Sequence, residues 1–343
     1  MTPYFPDLQH VDEIRRSLWT DRALSRASVM VGAGMSRNAE PAHAGRTTMT
    51  TWSELISVMI DRLYPAGTSV ERRRKELSDQ AGATSTALRL AEEFSAAFGR
   101  SALDDLIVQS IPDAEFLPSS LHTLLLELPW SDVLTTNYDT LLERAAASAL
   151  GQRYSVIRSP EEIATASRPR IVKLHGSFPS SRPFILTEED FRTYPRRFAP
   201  FVNLAQQVAM ENVLCLIGFS GDDPNFLYWT GWVRDHLGPY SPKIYLCGLL
   251  NLSDSERLLL HRRNVTPIDF TPLFSREEYS GSFRHYAALE WFLLSLRNGR
   301  PYNVLEWPDP PPTDGQSMQK LPSPLPPPAG NVPHRERPHP SWH

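Results

Sequence analysis

Residues 27–36 read ASVMVGAGMS, an apolar run that stops in Gly-Ala-Gly with a serine two places beyond. A short, continuous run containing valines fits a strand covered on both faces. Two glycines separated by one alanine let the backbone turn sharply and come close to a ligand. If a helix follows such a turn, its free N–H groups favour an anionic phosphate, and a nearby serine adds a hydroxyl donor. The turn lacks the third glycine of a dinucleotide fingerprint and the Gly-Lys-Ser/Thr of a P-loop. Taken alone it fits either a nucleotide-phosphate site or an ordinary turn.

Six further runs of strand length follow: SDVLTTN (131–137), YSVIRS (154–159), RIVKLHG (170–176), NVLCLIGF (212–219), KIYLCGLL (243–250) and VTPIDF (265–270). Most are continuous rather than alternating, as strands are when helices cover both faces. Helical patterns lie between them. TWSELISVMIDRLY sets Trp52, Leu55, Ile56, Met59, Ile60 and Leu63 on one face, and Thr51 with Glu54 forms a capping box. TNYDTLLERAAASAL, DPNFLYWTGWVRDHL and SDSERLLLHRRN follow later strands, with Pro224 at a first helical position. The predicted fold is α/β: a Rossmann-like, mostly parallel sheet with helices on both faces. Residues 51–130 read as helices without a convincing strand, a helical insertion between the first two strands, and their ERRRKE run reads as a solvated face. The predicted organisation is one catalytic domain over 1–300 and a Pro-rich extended tail or linker over 301–343. That last stretch holds 13 of the chain's 31 prolines, including PDPPP and PSPLPPP.

With 41% hydrophobic and 22% charged residues, the 343-residue chain has the composition of a globular protein with a substantial core. Its formal charge of −4 gives no global basic field, so nucleic-acid binding by overall charge is not indicated. Two cysteines, Cys215 and Cys247, both inside apolar runs, exclude a disulfide framework and a four-cysteine zinc site. The first residues carry no secretory pattern, and no apolar run approaches the ~20 residues of a membrane span. The expected location is cytoplasmic, with no membrane partner and no metal.

Polar residues gather where strands end. Thr136, Asn137 and Asp139 follow the second run; His175 and Gly176 end the fourth; Gly218, Ser220, Asp222 and Asp223 follow the fifth. Open parallel sheets bind ligands outside the carboxyl ends of their strands. Each residue also has a plain structural role open to it. Asn137, Asp139 and Asp223 suit helix caps, and His175 suits a satisfied strand-end position. Their convergence on one rim favours a ligand, because polar groups there are costly unless capped or bound.

The ordered set GAGMS, TTNYD, KLHGS and GFSGDDPNF resembles the sirtuin superfamily over roughly residues 25–270. The resemblance implies that Gly32, Ala33, Gly34 and Ser36 bind the NAD phosphates and ribose, with Thr136 alongside. It implies that Asn137 and Asp139 serve the nicotinamide ribose and that His175 acts as a base. Gly218 and Ser220 would hold the cofactor along its adenosine side, and Asp223 would order that loop. Two departures stand out. There is no CxxC zinc module after the histidine, where the chain reads SFPSSRPFILTEEDF, and no Pro-Asp-Phe-Arg segment after the glycine turn. Both remove features of protein deacylases. The ILTEEDF segment and the GFSGDDPNF ending look instead like bacterial sirtuin-like NAD hydrolases, which degrade NAD in response to phage.

That branch implies an NAD-depleting defence effector with NAD as substrate and no metal. It also implies gating by homo-oligomer assembly or by a partner such as a DNA-translocating ATPase, an Argonaute-like protein or another sensor. Cleavage of the nicotinamide–ribose bond builds oxocarbenium-like charge on the sugar. His175, ordinarily near pKa ~6.5, can accept a proton at neutral pH. Asn137 cannot act as a base, but its amide can position a hydroxyl or water. Two alternatives remain at this stage: a catalytically silent NAD- or ADP-ribose-binding sensor module, and a zinc-free protein deacylase.

Overall fold

The computed structural model describes residues 5–19, 25–43, 48–67, 70–149, 153–179, 183–279 and 281–297; the Pro-rich segment 301–343 lies outside the described residues. The strands are β1 (Ala27–Val31), β2 (Glu40–Pro41), β3 (Phe116–Leu117), β4 (Asp132–Thr135), β5 (Ser155–Ile157), β6 (Arg170–Lys173), β7 (Val213–Ile217), β8 (Ile244–Gly248) and β9 (Val265–Asp269). All seven apolar runs read from the sequence become strands of one sheet, ordered β5-β6-β4-β1-β7-β8-β9. Every pairing in that sheet is parallel. From β1 the chain moves outward to β4 and β5, returns through β6, then crosses β1 to reach β7. The order therefore reverses at β1, and ligand crevices form beside such a reversal.

The continuous apolar runs are explained by what covers them. On one face Val29, Val31 and Val133 pack with Trp291, Phe292 and Leu125, which belong to the helices Gly281–Arg297 and Ser120–Glu127. On the other, Met30, Leu134 and Leu216 meet Tyr194, Phe201 and Trp229 from the helices Glu188–Arg197, Ala199–Glu211 and Pro224–Leu237. Alternate residues of each strand thus feed two cores. Among the described residues no helix is long and apolar enough to cross a membrane.

Between β1 and β4 lie the helices Trp52–Leu63, Glu71–Asp79, Thr84–Phe98, Arg100–Ser110 and Ser120–Glu127. The first four contribute to a third core, in which Ile56, Leu90 and Leu106 surround Tyr138 after β4 and Phe184 and Leu186 after β6. The insertion is clamped there by Arg100, whose Nη1 donates to both carboxylate oxygens of Asp190 at 2.8 Å. The Thr51–Glu54 capping box forms as expected. The ERRRKE helix buries only Leu77, as a solvated element should.

Two details differ from expectation. The two-residue strands β2 and β3 pair antiparallel, a ladder too short to leave a pattern in the sequence. Trp52 departs from the buried face of its helix: it is 44% exposed, whereas Leu55, Ile56, Met59 and Ile60 are buried. It is the first residue after the Thr51 cap, and its ring meets Tyr138 edge-on.

Candidate active site

The glycine turn meets the loop after β7. Gly32 N–H donates to Ile217 O at 3.0 Å, and Gly34 N–H to Gly218 O at 2.8 Å. A Cβ on Gly34 would lie 2.7 Å from Gly218 Cα, and a Cβ on Gly32 would collide with the Gly218 carbonyl. Gly218 itself has φ +61° and would collide with Met35 N if it carried a side chain. The three glycines are therefore required first by the close crossing of two loops at the sheet reversal. The helix after the turn, Ala33–Ser36, is four residues long. It is a single turn that sets Ser36 in place.

Ser36 is the hinge of a buried polar cluster. Its hydroxyl donates to Asp139 Oδ2 at 2.7 Å and accepts from Asn137 Nδ2 at 3.0 Å. Asn137 is aimed by its own strand end: Thr135 Oγ1 donates to Val31 O at 2.8 Å and accepts from Asn137 N–H at 3.1 Å. Asp139 Oδ1 accepts from Leu141 N–H at 3.2 Å, a bond to the first residue of the helix Leu141–Ser148 made from just before its N-cap, Thr140. Beneath it lies a buried ion pair. Lys173 Nζ stands 3.3 Å from Glu143 Oε1 and donates to the Asp139 carbonyl. Burial pushes the Asp139 carboxyl above its ordinary value, while the Lys173 charge and the Ser36 hydrogen bond draw it back down. Ala33, Ser36, Thr136, Asn137 and Asp139 line one cleft, faced by Trp52 and Tyr138.

His175 forms a second cluster and does not line that cleft. It is 4% exposed. Its Nε2 lies 3.3 Å from Asn225 Nδ2 and 3.8 Å from Asp223 Oδ2. Phe191 and Tyr194 meet the ring edge-on, with centroids 5.3 and 5.8 Å away. Burial lowers the His175 pKa from 6.5, against the opposing pull of the Asp223 and Asp190 carboxylates. With Asn225 Nδ2 donating, Nε2 carries the lone pair of a neutral ring. Asp223 has two jobs. Its Oδ1 accepts from Phe226 N–H at 3.0 Å, capping the helix Pro224–Leu237, while Oδ2 faces the imidazole.

The two clusters are joined. Tyr138, next to Asn137, donates its hydroxyl to Ile185 O at 2.9 Å, and Ile185 N–H donates to His175 O at 3.0 Å. The structure thus gathers Ala33, Ser36, Thr136, Asn137 and Asp139 on the cleft, packs Gly32 and Gly34 on Gly218, and sets His175 with Asp223 one strand away. Ser220 is exposed, and its hydroxyl accepts from Asp222 N–H at 3.3 Å. Residues passed over in the sequence are Asn225, Lys173, Glu143 and Tyr138. Lys173 left a signal, since a charge inside the apolar run RIVKLHG demands a buried partner. Asn225 left a fainter one: at the second helical position, behind an aspartate that already caps the helix, its amide has no local task.

The SIR2-like domain family matches residues 131–268. Over that stretch the chain is similar to the SIR2-like family. The match runs from β4 through β9 and takes in Asn137, Asp139, His175, Gly218 and Asp223. Among similar proteins, the NAD(+) hydrolase ThsA of Acinetobacter baumannii (strain 532279) is 29% identical over 141 residues, 40% of this chain and 29% of that protein. Defense-associated sirtuin 2 of Bacillus subtilis is 24% identical over 217 residues, 62% of this chain and 21% of that protein. The NAD(+) hydrolase ThsA of Cytobacillus dafuensis is 23% identical over 231 residues, 66% of this chain and 41% of that protein. The chain therefore spans between a fifth and about two fifths of the length of these relatives. A crystal structure titled a SIR2 homolog–NAD complex aligns with 83% of this chain and 93% of its own, at a TM-score of 0.39 and 13% identity.

Proposed function

We propose that this sirtuin-like chain hydrolyses NAD at the nicotinamide–ribose bond, releasing nicotinamide and ADP-ribose. We further propose that it acts as an NAD-depleting effector in anti-phage defence, gated by a partner or by assembly. One observation carries the catalytic part: a buried Ser36–Asn137–Asp139 cluster opening on a cleft at the carboxyl rim of a parallel sheet. The names of the similar proteins support the substrate and the setting.

In this reading the pyridinium leaves as neutral nicotinamide, so no strong acid is needed at the leaving group. Water adds to the anomeric carbon and loses a proton. The Asn137 amide orients the ribose hydroxyl or the water, held in place by Ser36. Asp139, ionised with help from Lys173, balances the positive charge that develops on the sugar. His175, kept neutral by burial, takes the proton. The seclusion of its ring behind Asn225, Phe191 and Tyr194 supports gating, because a movement of the loop 218–225 is needed before a ribose can reach Nε2.

The test is NAD consumption by the purified chain, alone and with the product of its genomic neighbour, followed by nicotinamide release. Release of nicotinamide with free ADP-ribose is expected, and its loss in Asn137→Ala and His175→Ala. Full activity in both variants, under conditions that activate the parent, would remove these residues from the site. Tight NAD binding without turnover in every condition would make the chain a silent binding module instead.

A further inference from the structure

The helix Pro224–Leu237 carries Tyr228, a half-buried Trp232 and His236 at intervals of four residues; it ends at Gly238, whose φ is +53°, and Tyr240 stands in the short turn that follows. Side chains so spaced lie along one stripe of a helix. Tyr228 is 51% exposed and Tyr240 88%. Trp232 and His236 stack, with ring centroids 4.1 Å apart and planes 27° apart. The inner side of the same helix is already committed, since Phe226, Trp229 and Val233 are buried. The aromatic stripe is thus not needed to hold the helix to the sheet. Rigid aromatic faces set in a row along the surface are the kind of groove wall on which Pro-rich segments pack.

The chain supplies such a segment. Residues 301–343 contain PDPPP (308–312) and PSPLPPP (322–328). Proline lacks an amide hydrogen and cannot add a strand to the sheet edge, whereas its ring packs well on aromatic faces. Reach is no obstacle. About 30 residues separate Arg297, where the last helix ends, from Pro328. At ~3.1 Å per residue in an extended proline helix they span roughly 90 Å. A globular domain of this size has a radius of gyration of only about 19 Å.

We propose that the stripe Tyr228–Trp232–His236, with the exposed turn at Tyr240 next to it, is the docking surface for this chain's own Pro-rich segment, centred on PSPLPPP. The proposal stands apart from the NAD reading and needs no enzymatic activity to test. In the full-length chain, Tyr240→p-benzoylphenylalanine provides a photo-crosslinker in the exposed turn that follows the stripe. Irradiation is expected to link position 240 to peptides within residues 305–330 of the same molecule, at a yield unchanged by tenfold dilution. Replacing Pro326, Pro327 and Pro328 together with glycine should lower that yield at least fivefold with the unfolding midpoint unchanged, and Trp232→Ala should do the same. Crosslinks that join two chains and vanish on dilution would assign the stripe to a second copy and overturn the proposal. So would a yield indifferent to the prolines, or crosslinks confined to a co-purifying protein.

Discussion

Around Asp139, polar groups answer one another: a hydroxyl, an amide, a backbone N–H and, through the Asp139 carbonyl, a buried ammonium. Around His175 the surroundings are mostly aromatic edges, with one amide and one carboxylate at 3.8 Å. Burial acts on both clusters and pushes each group toward its neutral form, raising the acid and lowering the base. The consequences are opposite. An aspartate that is to face a developing cation must stay charged, and Lys173 opposes its desolvation. A histidine that is to accept a proton is served by neutrality and has no such counter-charge beyond Asp223 and Asp190. The same depth of burial therefore demands an ion pair in one cluster and permits its absence in the other.

The largest expected effect tests whether the clusters work together. Asn137→Ala and His175→Ala should each lower NAD turnover by about 10²–10⁴-fold, the range of a positioned base or orienting group. Circular dichroism should show the fold intact. If only one of them matters, the clusters are functionally separate, however close their loops.

Next comes the ion pair. Lys173→Met leaves Glu143 buried at 7% side-chain exposure without its cation. Loss of one partner from a buried pair costs about 3–5 kcal/mol. Urea denaturation should register that loss, and Lys173→Met with Glu143→Gln should recover part of it. A neutral outcome for the single variant would mean that the charges on these groups do not matter to folding.

How much of this was legible beforehand divides along the same line. The seven strands announced themselves because burial on both faces forces continuous apolar runs, as in VLCLI of β7. Cap chemistry was legible at Thr51 and Asp223, where one residue type at one offset does the work. The rim position of Asn137, Asp139 and His175 followed from strand ends alone. Long-range partnership was not legible. Nothing local ties Lys173 to Glu143 or Asn225 to His175, 50 residues away. The glycines were read as making room for a ligand. Gly32 and Gly34 also make room for Gly218, a need visible only once β1 and β7 lie side by side.

A smaller effect separates the clusters by pH. His175 titrates below 6.5 in the folded chain. In the resting chain an NMR titration of the His175 imidazole should have its midpoint below 6.5. Asp223→Asn removes a carboxylate that raises the His175 pKa, and asparagine preserves the cap, so the midpoint should move lower still. The sign for stability is the same. As pH falls from 6.5 toward the folded value, the unfolded chain binds a proton that the buried ring refuses, and stability declines. His175→Gln should lessen that decline. A midpoint above 6.5, or an upward move in Asp223→Asn, would overturn this account of how burial and Asp223 set the His175 proton affinity.

The smallest expected effect lies at the mouth of the cleft. Trp52 is 44% exposed and meets Tyr138 edge-on, with centroids 6.4 Å apart and planes at 70°. Both rings face the cleft that Asn137 and Asp139 line. A tryptophan face attracts a pyridinium cation by about 0.5–1 kcal/mol where water still reaches the pair. Trp52→Ala should therefore raise KM for NAD only a few-fold and leave kcat nearly unchanged, because the contact serves the bound ground state and the transition state alike. Trp52→Phe should fall between. A loss concentrated in kcat would instead place the indole against the reacting centre, and would mean that the cleft and the His175 cluster meet at this residue once the site opens.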